Sequence, residues 1–127
     1  VGSPTILVVD DDPVIVELLR VNFEMEGYRV RTAADGRAGL ESALREPPDL
    51  VLFDVMMPGL DGLEAARRLR ADERSARTGV ILLSAKAQGT DVSAGLAVAD
   101  DYVTKPFDAV ELLARAAAVV QLRREAG

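Results

Sequence analysis

Short runs of Val, Ile and Leu alternate along the chain with longer segments in which apolar residues recur every three or four positions. That pattern predicts repeated βα units around a parallel sheet, and five units can be counted. The first strand is Thr5 to Val9. Asp12-Pro13 then supplies an N-cap and a first-turn proline for a helix to about Glu26, ended by Gly27, with Val14, Ile15, Leu18, Leu19 and Phe23 as its buried face. The second strand, Tyr28 to Ala33, alternates Tyr28 and Val30 with Arg29 and Arg31, which places it half exposed at or near a sheet edge. Its helix runs from Asp35-Gly36 to the Pro47-Pro48 stop. Leu50 to Phe53 is continuously apolar and therefore central, leading through Asp54 and a loop Val55 to Leu60 into a third helix capped by Asp61. Val80 to Leu83 is the fourth strand, a fourth helix lies within Ala87 to Ala99, Asp101 to Thr104 is the fifth strand, and a last helix runs from Pro106 to about Arg124.

Right-handed crossovers and an interior first strand make this an α/β fold of the doubly wound (βα)5, flavodoxin-like kind, a five-stranded parallel sheet in the order 2-1-3-4-5. Ligands of such a sheet sit at the carboxyl ends of its strands, where the order reverses.

Composition narrows what could happen there. At 127 residues, 49% of them hydrophobic, the chain suits one domain over residues 1–127. It opens Val1-Gly2-Ser3 without an initiator Met, which reads as a remnant or a cut from a longer protein, so an effector domain beyond residue 127 is possible. Without Cys or His there are no disulfides, thiolate or imidazole metal sites, and no Ser/His/Asp triad. A net charge of −6 with no concentrated basic stretch argues against direct nucleic-acid binding, and apolar runs such as Ile6 to Val9 are too short to span a bilayer. A cytoplasmic protein is expected.

The residues that follow each strand carry the chemistry. Asp10, Asp11 and Asp12 come after the first, Asp54 after the third, Ser84 after the fourth and Lys105 after the fifth, whereas the outlying second strand ends in Ala33-Ala34. In the expected order those four strands are neighbours, so carboxylates, a hydroxyl and an ammonium face one crevice. Carboxylates clustered without His or Cys suit a hard, octahedral cation, Mg²⁺ or Mn²⁺. Phosphoryl transfer to a carboxylate needs a nucleophile, a cation, and further donors to the phosphoryl oxygens. Asp54, the cation, Lys105 and Ser84 supply that set.

Four segments carry a resemblance: Ile6-Leu7-Val8-Val9-Asp10-Asp11, Leu52-Phe53-Asp54-Val55-Met56-Met57-Pro58-Gly59, Leu83-Ser84-Ala85 and Asp101-Tyr102-Val103-Thr104-Lys105-Pro106-Phe107. Through them the chain closely resembles response-regulator receiver domains of two-component signalling over essentially its whole length. The resemblance implies that Asp54 is phosphorylated from a histidine kinase or phosphotransfer-domain phosphohistidine, with slow autodephosphorylation and no other enzymatic activity. It implies that Asp11 binds the metal directly, that Asp10 acts mostly through water, and that the Met56 carbonyl joins Asp54 as a ligand. It also implies a tight turn with a cis Lys105-Pro106 bond. Phosphorylation would draw Ser84 toward Asp54 and open space into which Tyr102 turns, changing the face of the fourth helix, fifth strand and fifth helix.

Blander roles are assigned to the remaining polar residues. Asp12 before Pro13 is an N-cap rather than a third acid of the site, Met57 is loop packing, and Arg67, Arg68, Arg70 and Arg74 to Arg77 form a solvated helix face and loop. A Mg²⁺-dependent aspartyl-phosphate phosphatase is the enzymatic alternative, but it usually wants an acid two residues after its nucleophile, and Met56 stands there. A nucleotide or flavin module lacks its glycine-rich motif, and a degenerate receiver would not keep all five site positions. Val98-Ala99 replaces the family's Gly-Ala, one residue short, so the end of the fourth helix should be shortened or irregular. Asp100, Asp101, Glu111 and Arg115 resemble the charges by which receivers of winged-helix DNA-binding regulators dimerise through the fourth helix, fifth strand and fifth helix, and Asp101 with Arg115 could pair across such a two-fold interface. Val92, however, stands where a basic partner for Glu111 would sit. A monomer is therefore expected without phosphate, and at most a weak dimer with it.

Overall fold

A computed structural model describes residues 2–85 and 89–126. Its elements are β1 (Thr5–Val9), α1 (Pro13–Met25), β2 (Arg29–Ala33), α2 (Gly36–Arg45), β3 (Leu50–Asp54), α3 (Gly62–Ala71), a single 3-10 turn (Glu73–Ser75), β4 (Gly79–Ser84), α4 (Gly89–Leu96), β5 (Asp101–Thr104) and α5 (Ala109–Ala126). The strands form one five-stranded parallel sheet in the expected order β2-β1-β3-β4-β5.

Alternation along each strand divides the core into two layers. Leu7, Val9, Val51, Phe53, Val80, Leu82 and Tyr102 face Leu40, Ala43, Ala65, Ala66 and Leu69 of α2 and α3. Ile6, Val8, Leu50, Leu52, Ile81, Leu83 and Val103 face Leu19 and Phe23 of α1 and Leu112, Ala116, Val119 and Val120 of α5. Covering both faces is what allows β1, β3 and β4 to be apolar without interruption. Asp12, Asp35 and Asp61 cap α1, α2 and α3 by accepting the backbone N–H of Val14, Ala38 and Glu64.

Several boundaries and faces depart from expectation. Tyr28 lies before β2 rather than in it, packing edge-on against Phe23 with ring centroids 4.9 Å apart. Arg31 on β2 is half-buried because its guanidinium bonds the Ser42 and Glu46 carbonyls at the end of α2. On α1 the line Ile15, Leu19, Phe23 meets the core, while Val14 and Leu18, about 100° back around the helix, are 73% and 46% exposed. The last helix starts at Ala109 instead of Pro106, since the Asp108 carboxylate accepts the N–H of Val110 at 2.8 Å and of Glu111 at 3.3 Å. It continues past Arg124 to Ala126.

Arg70 is a clearer correction. Its guanidinium is drawn over the end of the sheet, where it donates to the carbonyls of Val98 (3.0 Å) and Thr78 (2.7 Å) and to the Asp100 carboxylate (3.0 Å). Asp100 also accepts Arg123 at 2.7 Å and the Val80 N–H at 2.9 Å. The expected α4 span began at Ala87, which lies outside the described residues. Its far end is short as expected: α4 stops at Leu96, and the N–H groups of Val98 and Ala99 turn back onto the Gly95 carbonyl. Among the described residues no non-glycine has positive φ, so no left-handed cap closes α4.

Candidate phosphoacceptor site

The apolar strands β1 and β3 run inside the sheet and terminate in acids, so Asp10 and Asp54 are 1% and 5% exposed although each carries a carboxylate. Both Asp10 oxygens have partners. Oδ1 accepts the Asp12 N–H at 2.9 Å and Oδ2 accepts the Lys105 ammonium at 2.9 Å. Lys105 reaches Asp54 Oδ2 at 3.5 Å, and Asp54 Oδ1 accepts the Met56 N–H at 3.2 Å. Asp11 is exposed at the rim. Oxygens of Asp10, Asp11 and Asp54 all lie within 4.8 Å of one another.

The electrostatics follow from this crowding. Burial, and then the neighbouring Asp10 charge, push the Asp54 carboxyl above its ordinary range, against the opposing pull of Lys105 and the Met56 N–H. Burial works against the Lys105 ammonium, but pairing with Asp10 and Asp54 outweighs it and holds its pKa above the ordinary lysine value. Lys105 is thus a fixed cation, and among the described residues it is the one cation that faces these three carboxylates. The oxygen-only donor set fits a hard divalent ion. Asp10 and Asp54 are each engaged twice, Asp10 at 2.9 Å on both oxygens and Asp54 more loosely, at 3.2 and 3.5 Å.

Ser84 ends β4, fully buried, and its carbonyl accepts the Lys105 N–H at 2.8 Å. The Lys105-Pro106 bond is cis. The Tyr102 ring lies inside, 9% exposed, and packs with the layer that holds Leu82. Met57 is buried packing and Asp12 is an N-cap, as expected. Met56 exposes its side chain.

Two site-building residues escaped the sequence reading. A Cβ at Gly62 would lie 2.4 Å from the Asp54 carbonyl oxygen, and one at Gly36 would lie 2.0 Å from the Leu60 carbonyl oxygen. Both glycines follow a capping aspartate, so the repeated Asp-Gly was legible as a helix start. It carried no sign that the bare Cα lets each helix press against the loop beside Asp54. Gly59, at φ +78, turns that loop.

A family model described as the response regulator receiver domain matches residues 6–117. The chain belongs to that family. This receiver is 46% identical over 119 residues to the DNA-binding dual master transcriptional regulator RpaA of Synechocystis sp., a match covering 93% of this chain and 49% of that protein. It thus spans about half the length of the curated relatives it matches. It superposes with a TM-score of 0.92 on a CheY-like response regulator receiver domain protein from Methanospirillum hungatei, 28% identical, over 99% of this chain and 100% of that one. The receiver domain of the sensor histidine kinase PA1611 from Pseudomonas aeruginosa, 35% identical with a TM-score of 0.84 over 94% of this chain and 99% of that one, has a magnesium ion coordinated in its active site cleft. Receiver domains bind Mg²⁺ at an acidic site, and Asp10, Asp11 and Asp54 form such a cluster here. As a two-component receiver it is a signalling domain, and among its described residues no helix is long and apolar enough to cross a membrane.

Proposed function

We propose that the receiver takes a phosphoryl group onto Asp54 from the phosphohistidine of a histidine kinase or phosphotransfer domain, and that this resets the face formed by α4, β5 and α5. The observation that carries the reading is the placement of Lys105 between two buried carboxylates, 2.9 Å from Asp10 and 3.5 Å from Asp54. In the transfer an Asp54 carboxylate oxygen bonds to phosphorus, the bond from phosphorus to the imidazole nitrogen breaks, and the imidazole leaves to be reprotonated. Lys105 offsets charge on one phosphoryl oxygen, and the hydroxyl of Ser84, which ends β4 beside Thr104, donates to another. Asp11, Asp54 and the Met56 carbonyl would hold Mg²⁺ or Mn²⁺, with Asp10 assisting through water. The ion supplies the remaining charge compensation for the phosphoryl oxygens.

Partners are then a kinase or phosphotransfer domain upstream and an effector, fused or separate, downstream. Relatives named as transcriptional regulators support the effector half of this reading. Intact-mass spectrometry after incubation with Mg²⁺ and acetyl phosphate tests it. One labile phosphate on the parent and none on Asp54→Asn is the expected result, and steady hydrolysis of phosphate esters would favour the phosphatase alternative.

A further inference from the structure

Helix α4 carries a glycine whose backbone gives no reason for it. Gly95 has no positive φ, unlike Gly27 and Gly59, and it lies within the helical span Gly89–Leu96. Glycine weakens a helix interior relative to alanine. The reason lies across the gap to β5, where a Cβ built at Gly95 would stand 2.5 Å from Cδ2 and 2.9 Å from Cε2 of Tyr102, and 3.2 Å from Cδ1 of Leu82. The missing methyl is therefore the space that the Tyr102 ring occupies. Register connects this seat to the acceptor site: Tyr102 pairs with Leu82, and Ser84, two residues further along β4, pairs with Thr104. Leu82, Ser84, Tyr102 and Thr104 alternate onto one face of the sheet, so the ring and the Ser84 side chain share that face.

Resting on the phosphoacceptor reading of Asp54, we propose that Gly95 is a positioning residue for Tyr102. Its bare Cα holds the ring in the buried position, and the space at residue 95 sets how far phosphorylation at Asp54 can shift the aromatic on β5.

The chain has no Trp and two Tyr, so a Tyr28→Phe background leaves Tyr102 as the only tyrosine reporter. In that background Gly95→Ala should raise acrylamide quenching of Tyr102 about twofold and lower the Tm, where alanine for glycine in a helix ordinarily raises it. With Tyr102→Ala also present, Gly95→Ala should instead raise the Tm, and this sign reversal remains readable if the single variant folds poorly. Phosphorylation with acetyl phosphate and Mg²⁺ should change Tyr102 quenching in the Tyr28→Phe parent, and by a different amount once residue 95 is alanine. Unchanged quenching in Gly95→Ala, or the same loss of Tm with and without the Tyr102 side chain, overturns the seat. A labelled parent whose Tyr102 quenching ignores phosphate overturns its role in the switch. Failure of Asp54 to take label in the parent, read separately by mass, overturns the phosphoacceptor reading and the switch role with it, while the quenching and Tm comparisons still decide the seat.

Discussion

At the scale of single residues, the proposed acceptor carboxylate is an unfavourable one for folding, because a buried Asp54 beside Asp10 is held in its charged form at a cost. Its folded pKa is raised, so between the unfolded and folded values the native state binds more protons, and the slope of stability against pH is negative there. The contribution is present below the ordinary carboxylate range and lost as pH rises through the folded value. Asp54→Asn should therefore raise the Tm of metal-free protein at pH 7 by a few degrees, on the order of what ~1 kcal/mol does in a domain of this size. The gap from the parent should close as pH falls through that window. Mg²⁺ should raise the parent's Tm more than the variant's, and thermal melts with and without EDTA measure both effects. A gap that widens on acidification would contradict this account.

Elements meet at two places where a small change should travel. Gly62→Ala at the start of α3 pushes a methyl into the Asp54 carbonyl, and overpacking of this kind costs about 1–3 kcal/mol. Slower labelling of Asp54, the proposed acceptor, should accompany the loss, since its backbone has to move. Arg70→Ala removes four guanidinium contacts to Val98, Thr78, Ala76 and Asp100 and leaves the Asp100 carboxylate to Arg123 and the Val80 N–H. Breaking a part-buried ion pair with carbonyl partners should cost about 2–4 kcal/mol in urea denaturation. Hydrogen exchange should quicken first at the amides of 97–100, the turn that Arg70 ties down. Uniform quickening across the sheet would show that the guanidinium only adds global stability.

For the molecule as a whole, the charges that could serve a two-fold contact are engaged within one chain. Arg115 pairs with Asp101 and with Glu111, each at 2.9 Å, Asp100 belongs to the Arg70 and Arg123 cluster, and Val92 packs on the core. A dimer using Asp101 and Arg115 would first have to break or share an ion pair already made, and rim charges set register more than affinity. Sedimentation should accordingly find a monomer without phosphate and at most weak association with Mg²⁺ and phosphate present. A tight phosphorylated dimer that collapses on Arg115→Ala would show that the internal pair exchanges readily for one between chains.

Much of this architecture was legible in the residues because its causes are local or periodic. Uninterrupted Val, Ile and Leu in β1, β3 and β4 require cover on both faces, which places them inside the sheet, while alternation in β2 marks an edge. The capping aspartates announce their helices within three residues. Acids at the ends of buried strands need a partner and a cation, so Asp10, Asp11, Asp54, Ser84 and Lys105 could be gathered before any distance was known. What only the tertiary structure decided depends on the angle and spacing at which finished elements meet. No periodicity distinguishes Arg70, bound over the end of the sheet, from the solvated Arg67 beside it, or shows that α1 turns Val14 and Leu18 outward. Nor could it show that Gly62 and Gly95 are glycine for want of room. Those facts arise where separate elements meet in space, and there a single methyl or a turn of a helix determines which groups touch.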